Sequence, residues 1–249
     1  MIDELLLHRS IRKYKDIPIH DDKLQNILKA GIRASTTGNM QVYSIIISKD
    51  PNVREKLWEI HFKQDMVLQA PVILTFCADF NRFNKWCKFN NALPGYDNFL
   101  SFFTAALDAL LVAQNICIAA EYYGLGICYL GTATYNADKL IDLFELPTGV
   151  VPVASIVLGY PDEEPHQPDR LPLEAVIHHE KYVDYTKETI NQLYNLKENL
   201  EENINFIKEN NLETLAQVFT DIRYTQIDNE FFSKKFLSVI EKQGYLFNF

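Results

Sequence analysis

The sequence predicts an α+β fold in which helices pack on a central sheet. Three observations carry this: apolar β-branched runs alternate with segments of helical spacing, one long apolar stretch lacks Gly and Pro, and no Gly- or Ser-rich linker separates the pieces.

Near its start the chain carries His8-Arg9-Ser10-Ile11-Arg12-Lys13-Tyr14, which sets three cations, an imidazole and a hydroxyl around one apolar residue. The planar donor fork of arginine matches phosphate oxygens, and Ser10 and free backbone N–H groups can fill the remaining acceptors, so the segment suits an anion. Taken alone it also reads as a solvated basic turn.

Helical spacing follows over residues 20–33, with Leu24, Ile27, Leu28 and Ile32 on one face and Asp21 or Asp22 as cap. Residues 42–48 are β-branched and predict a buried strand; a helix opened by Pro51 runs to residue 60, and residues 71–79 repeat the strand pattern. Residues 97–123 predict the longest helix, stopped at Gly124-Leu125-Gly126 and apolar nearly all round. Such a helix belongs in a large core or a subunit interface. A strand at 127–131, a helix at 136–145 and a strand ending at Tyr160 complete the alternation. A Pro-rich acidic loop follows, and the tail from Tyr185 is helical, with an amphipathic segment over about 228–243.

With 249 residues, 47% hydrophobic and 23% charged, the chain can bury a sizeable core. A net charge of −9 disfavours nucleic acid and anionic membrane surfaces as partners, since either wants a basic face. The apolar run at 102–120 is long enough for a membrane span, but Asp108, Gln114 and Asn115 interrupt it, which favours a buried helix. The four cysteines form no C-x-x-C pair, no metal-ligand spacing is evident, and no signal-like segment opens the chain, so reduced thiols and a cytoplasmic location are expected.

Four segments in order, HRSIRKY at His8, ASTTGNMQVYSIII at Ala34, GLGICYLG at Gly124 and VLGYPDEEPHQPDRLPLEAVIHHEKY at Val157, resemble the FMN-dependent nitroreductase family, in its NADPH-preferring nitroreductase and flavin reductase branch. The resemblance implies a nitroreductase-like fold: a mostly antiparallel sheet flanked by helices, a long buried helix, a helical C-terminal extension and an intertwined homodimer. It implies an FMN-binding domain at 1–183 and an extension at 184–249 that packs on the same domain or on the partner subunit. Two FMN molecules would sit at the subunit interface, each reached by both chains.

Carried over residue by residue, His8, Arg9, Ser10 and Arg12 would form the first FMN segment. Arg9 and Ser10 would hold the phosphate, with Arg12 toward the N1 and O2 edge of the isoalloxazine, where a cation suits developing negative charge. Thr36 would lie near the phosphate and Gln64 at the polar edge of the flavin. The segment Tyr129, Leu130, Gly131 and Thr132 would bring backbone near N5 and O4, and Arg170 would be a second phosphate ligand. Plain readings stand beside these: Thr36 as a turn cap, Gln64 as a surface glutamine, Gly126 and Gly131 as strand punctuation, and Arg170 as an ion-pair partner of Glu163 or Glu164.

The implied activity is ping-pong reduction of nitroaromatics, quinones or flavins, or of another small-molecule oxidant, by NADPH or NADH. Hydride would pass at a near-contact distance of roughly 3 to 3.5 Å without a protein acid, base or nucleophile. Two departures bear on this. Pro168 stands where the family often has a phosphate-binding lysine. Residues 185–211 hold Lys187, Lys197 and Lys208 but no arginine to grip a 2′-phosphate. Arg223, the tail's one arginine, suits either a dinucleotide phosphate or an ion pair with Asp221, and Met40 and Tyr43 either line a substrate pocket or join the core. The alternatives are an FMN store or redox sensor with little nicotinamide turnover, and a specialised FMN enzyme whose lid is the tail.

Overall fold

The computed structural model describes residues 2–246 and divides into two compact units, Met1–His166 with Phe232–Phe249, and Gln167–Phe231. The larger unit runs α1 (Ile2–Leu6), α2 (Asp21–Gly31), β1 (Tyr43–Ser48), α3 (Pro51–Ile60), α4 (Met66–Gln69), β2 (Val72–Asp79), α5 (Asn81–Phe89), α6 (Phe99–Tyr122), β3 (Gly126–Leu130), α7 (Thr132–Tyr135), α8 (Ala137–Phe144) and β4 (Val150–Gly159). The smaller unit holds α9 (Lys187–Glu198), α10 (Glu201–Glu209), α11 (Leu215–Gln217) and a π-helical turn at Val218–Arg223. Helix α12 (Gln226–Lys242) starts in the smaller unit and ends in the larger.

The four strands form one antiparallel sheet in the order β1-β2-β4-β3. Alternate residues feed different cores. Val72, Leu74, Phe76, Ile127, Ile156 and Leu158 meet α2 and α6 on one face, whereas Ile73, Cys128, Leu130 and Val157 meet α3, α4 and α8 on the other. Helices thus cover both faces, and for that reason the strands read as continuous apolar runs instead of alternating ones. Thr75 and Ser155, inside the sheet, satisfy each other at 3.2 Å. A third core at one end of the sheet joins Val42, Phe80, Phe102 and Val151 to Val239, Ile240 and Tyr245.

Helix α6 is long and apolar enough to cross a membrane, yet it packs on β2 and α2, and its interrupting Asp108 is buried. Asp108 Oδ1 accepts from the backbone N–H and hydroxyl of Thr37, at 2.9 and 3.3 Å, and so pins the turn after α2. The opposite side of α6 leaves Phe103, Leu107, Leu110 and Leu111 exposed.

Some sequence expectations change. The cap of α2 is His20, without a side-chain cap bond; Asp21 and Asp22 sit in the first turn, where their charge complements the helix dipole. Tyr43 is buried and Met40 packs on the third core, so both join the interior. Helices α1, α4, α5 and α7 lie outside the helices the sequence predicts.

Candidate functional site

The basic opening segment is an added edge to the sheet. Ile11 N–H donates to the Ile127 carbonyl at 2.9 Å, Lys15 N–H to Tyr160 at 2.9 Å, and Tyr14 bridges Pro161. Ile11 and Tyr14 are buried beneath it, and the Tyr14 hydroxyl donates to the Ile11 carbonyl. The close approach depends on Gly126, where an added Cβ would lie 2.6 Å from Ile11 Cγ1. Gly126→Ala is therefore expected to push the segment off β3, destabilising the protein by about 1–3 kcal/mol. Thermal unfolding should show a midpoint lower by roughly 3–10 °C, and an unchanged midpoint would mean that Ile11 yields freely.

With its apolar residues turned inward, the segment presents its polar ones. His8 Nδ1 lies 2.6 Å from Glu121 Oε1 at the end of α6; burial pushes the Glu121 carboxyl up while His8 opposes the shift. Arg9 Nη1 donates to the Pro165 carbonyl at 2.9 Å and lies 3.6 Å from the exposed Glu164 carboxylate. The backbone N–H groups of Arg12 and Lys13 both donate to Glu163 Oε1. The Arg12 guanidinium makes no hydrogen bond or ion pair among the described residues. Burial raises the Cys128 thiol, opposed by the Arg12 charge and a Ser10 hydrogen bond, so Ser10 and Arg12 both lie beside β3.

Two further predicted groups meet this region on the second core. Leu130, at the end of β3, is buried in it, and Gly131 follows as the N-cap of α7, exposed, with nothing within 4 Å of where a Cβ would stand. Tyr129 packs on the first core and its hydroxyl donates to Gln114 at 3.4 Å; burial pushes its phenol up. Thr132 Oγ1 is 2.7 Å from Nδ1 of His61, the C-cap of α3. Gln64, at the start of the next turn, donates to the His61 carbonyl at 2.9 Å. The opening segment, residues 61–64 and residues 128–132 thus converge around one core.

Thr36 does not join them. It caps the turn that Asp108 pins, on the α6 side of the molecule. Arg170 belongs to the smaller unit, where Nη1 donates to the Asp169 carbonyl at 2.9 Å, while Lys197 grips the Asp169 carboxylate at 2.9 and 3.0 Å. Arg223 stacks over Phe206 and Phe219, 4.5 and 5.4 Å from their centres, and Asp221 accepts instead from Thr220. The sequence reading missed His61, Glu121 and the anchoring role of Asp108.

Arg12 lies beside β3, which is followed by an open backbone position at Gly131, and together they suit a flat, anionic ligand. The pattern of the Nitroreductase family matches residues 6–160. The chain is 35% identical over 192 residues to an FMN reductase [NAD(P)H] of Bacillus subtilis, covering 74% of this chain and 75% of that one. It is 33% identical over 189 residues to an NADPH-flavin oxidoreductase of Vibrio harveyi, covering 76% and 77%. Among solved structures, a Bacteroides fragilis protein matches with TM-score 0.96 and 53% identity over 98% of this chain and 99% of its own. B. megaterium NfrA2 matches with TM-score 0.87 and 31% identity over 100% and 98%. The chain belongs to the Nitroreductase family.

Proposed function

We propose that the chain binds FMN and acts as an NAD(P)H-dependent reductase of nitroaromatics, quinones or flavins, exchanging donor and oxidant in turn at one site. The observation that carries this reading is Gly131: exposed backbone just past a buried strand, open where a side chain would be, on the strand beside which Arg12 lies with no hydrogen bond or ion pair to its guanidinium among the described residues. The residues present fit FMN. Arg9 and Ser10 would hold its phosphate, and Gln64 and Thr132 would meet the polar edge of its ring. Bound FMN supplies the acceptance and donation of hydride. Arg12 supplies positive charge toward the N1 and O2 edge, Gly131 admits the ring to the backbone, and the buried second core beneath Leu130 keeps that floor rigid and dry.

The separation of Thr36 from the other site residues, and the exposed apolar side of α6, support a homodimer in which each site draws on both chains. The FMN-binding part would lie within residues 1–183, with 184–249 as a helical extension. The donor is NADPH or NADH: Lys197 is engaged by Asp169 and Arg223 by two rings, so no arginine of the tail is committed to a 2′-phosphate.

An anaerobic spectrum of the purified protein tests the proposal. A yellow protein bleached by either donor and recoloured by a nitroaromatic, quinone or free flavin is the expected result. A colourless protein that takes up no added FMN, or a yellow one that neither donor bleaches, would overturn it.

A further inference from the structure

His61 has no part in the function proposed above, yet it is fully buried, 71 residues distant in sequence from the hydroxyl it meets. Its Nδ1 lies 2.7 Å from Thr132 Oγ1, and its Nε2 is buried without a partner among the described residues. The neighbouring backbone is fixed: Asn136 donates to the Ile60 carbonyl at 2.6 Å and Gln64 to the His61 carbonyl at 2.9 Å, so the ring is held from both sides.

Burial holds the imidazole neutral, its pKa pushed down to about 4, and a neutral ring carries a single proton. With the proton on Nε2, a buried N–H would be left with no acceptor among the described residues, at the full desolvation cost of that group. With the proton on Nδ1, it is donated to Thr132 Oγ1 and only a lone pair goes unused. The second arrangement is the favourable one, and it has a consequence for the threonine. A hydroxyl that accepts from His61 keeps its own hydrogen, and Thr132 Oγ1 has no other partner among the described residues. That hydrogen remains to be donated, one residue from the open backbone position at Gly131.

We propose that His61 is a positioning residue: by donating from Nδ1 it makes the Thr132 hydroxyl a hydrogen-bond donor to the polar edge of the bound isoalloxazine. This rests on the FMN reading above. The aliphatic Thr132→Val removes the hydroxyl at constant volume, His61→Leu removes the ring's donor, and His61→Asn keeps a donor at the Nδ1 position.

The test is FMN titration of apoprotein, wild type and variants, combined with 15N NMR of the histidine rings in holoprotein. Thr132→Val and His61→Leu should each raise the FMN Kd about two- to twelvefold, the value of one hydrogen bond. The double variant should be no weaker than either single one, and His61→Asn should restore most of the affinity. The NMR spectrum should show the His61 proton on Nδ1. Additive effects of the two substitutions, an Nε2-protonated ring, or His61→Asn as weak as His61→Leu would overturn the proposal. The tautomer can be read in apoprotein too, so a wild-type protein that binds no FMN but shows an Nδ1 proton refutes the flavin contact while leaving the hydrogen-bond polarity standing.

Discussion

Replacing Gly131 with valine is expected to leave the fold intact while weakening FMN binding ten- to a hundredfold or more. The two halves of the expectation come from one observation. Gly131 has φ −61° and ψ −19°, a backbone conformation any residue adopts, and a Cβ there meets nothing within 4 Å, so the apoprotein has no steric reason to object. A surface change of this kind shifts stability by no more than about 0.5 kcal/mol. The same empty space is what the flat ring would occupy, and forcing branched carbon into a close contact costs about 1–3 kcal/mol, the source of the expected loss. Fluorescence titration of apoprotein with FMN, beside a thermal melt, measures both. An unaltered Kd would mean that the ring lies elsewhere. Gly126→Ala is the informative contrast, because there the added carbon collides with Ile11 and stability itself must fall.

The strands and α6 were legible because their signals are local. VILTFCAD is buried throughout and YSIIIS largely covered in a helix-covered sheet, so both read as apolar runs, and α6 is uninterrupted by Gly or Pro until Gly124, which adopts φ +72° just past the helix end. Helix α5 was not legible. Its N-cap, Phe80, offers no side-chain cap, and what holds the helix is distant: Phe83 meets Phe80 and Tyr96 edge-on at 6.3 and 5.5 Å, on the third core. Tertiary packing chose a helix that propensity and capping left open.

The site divides in the same way. The cations of HRSIRKY announce themselves by their density, and Asp108 stands out as a carboxylate inside an apolar helix. The sequence could say that Asp108 argued against a membrane span. It could not say that the carboxylate reaches back to Thr37, 71 residues earlier. His61 gave no signal at all, because a single histidine at a helix end acquires meaning only when folding brings Thr132 to its ring.

That ring carries the second large expectation, a loss of stability in mild acid that depends on His61. Its pKa in the folded protein is about 4, against 6.5 for an ordinary histidine, and burial is the cause. The sign follows from which state takes up the proton first. Between pH 6.5 and 4 the unfolded chain is protonated at this residue and the folded one is not, so the unfolded state is stabilised relative to the folded one as pH falls, by about 3 kcal/mol in total. Above pH 6.5 the contribution is complete and flat. Urea unfolding at pH 7 and at pH 4, for wild type and His61→Asn, isolates the residue: the other groups titrate in both proteins and cancel in the difference, Glu121 included, whose raised carboxyl responds in the opposite sense. Wild type should lose about 3 kcal/mol more than the variant. Equal losses would mean that His61 takes a proton in the folded state near its ordinary pKa, which would require an acceptor at Nε2. No described residue supplies one, so the unpaired nitrogen that fixes the tautomer at neutral pH also makes the second proton costly in acid.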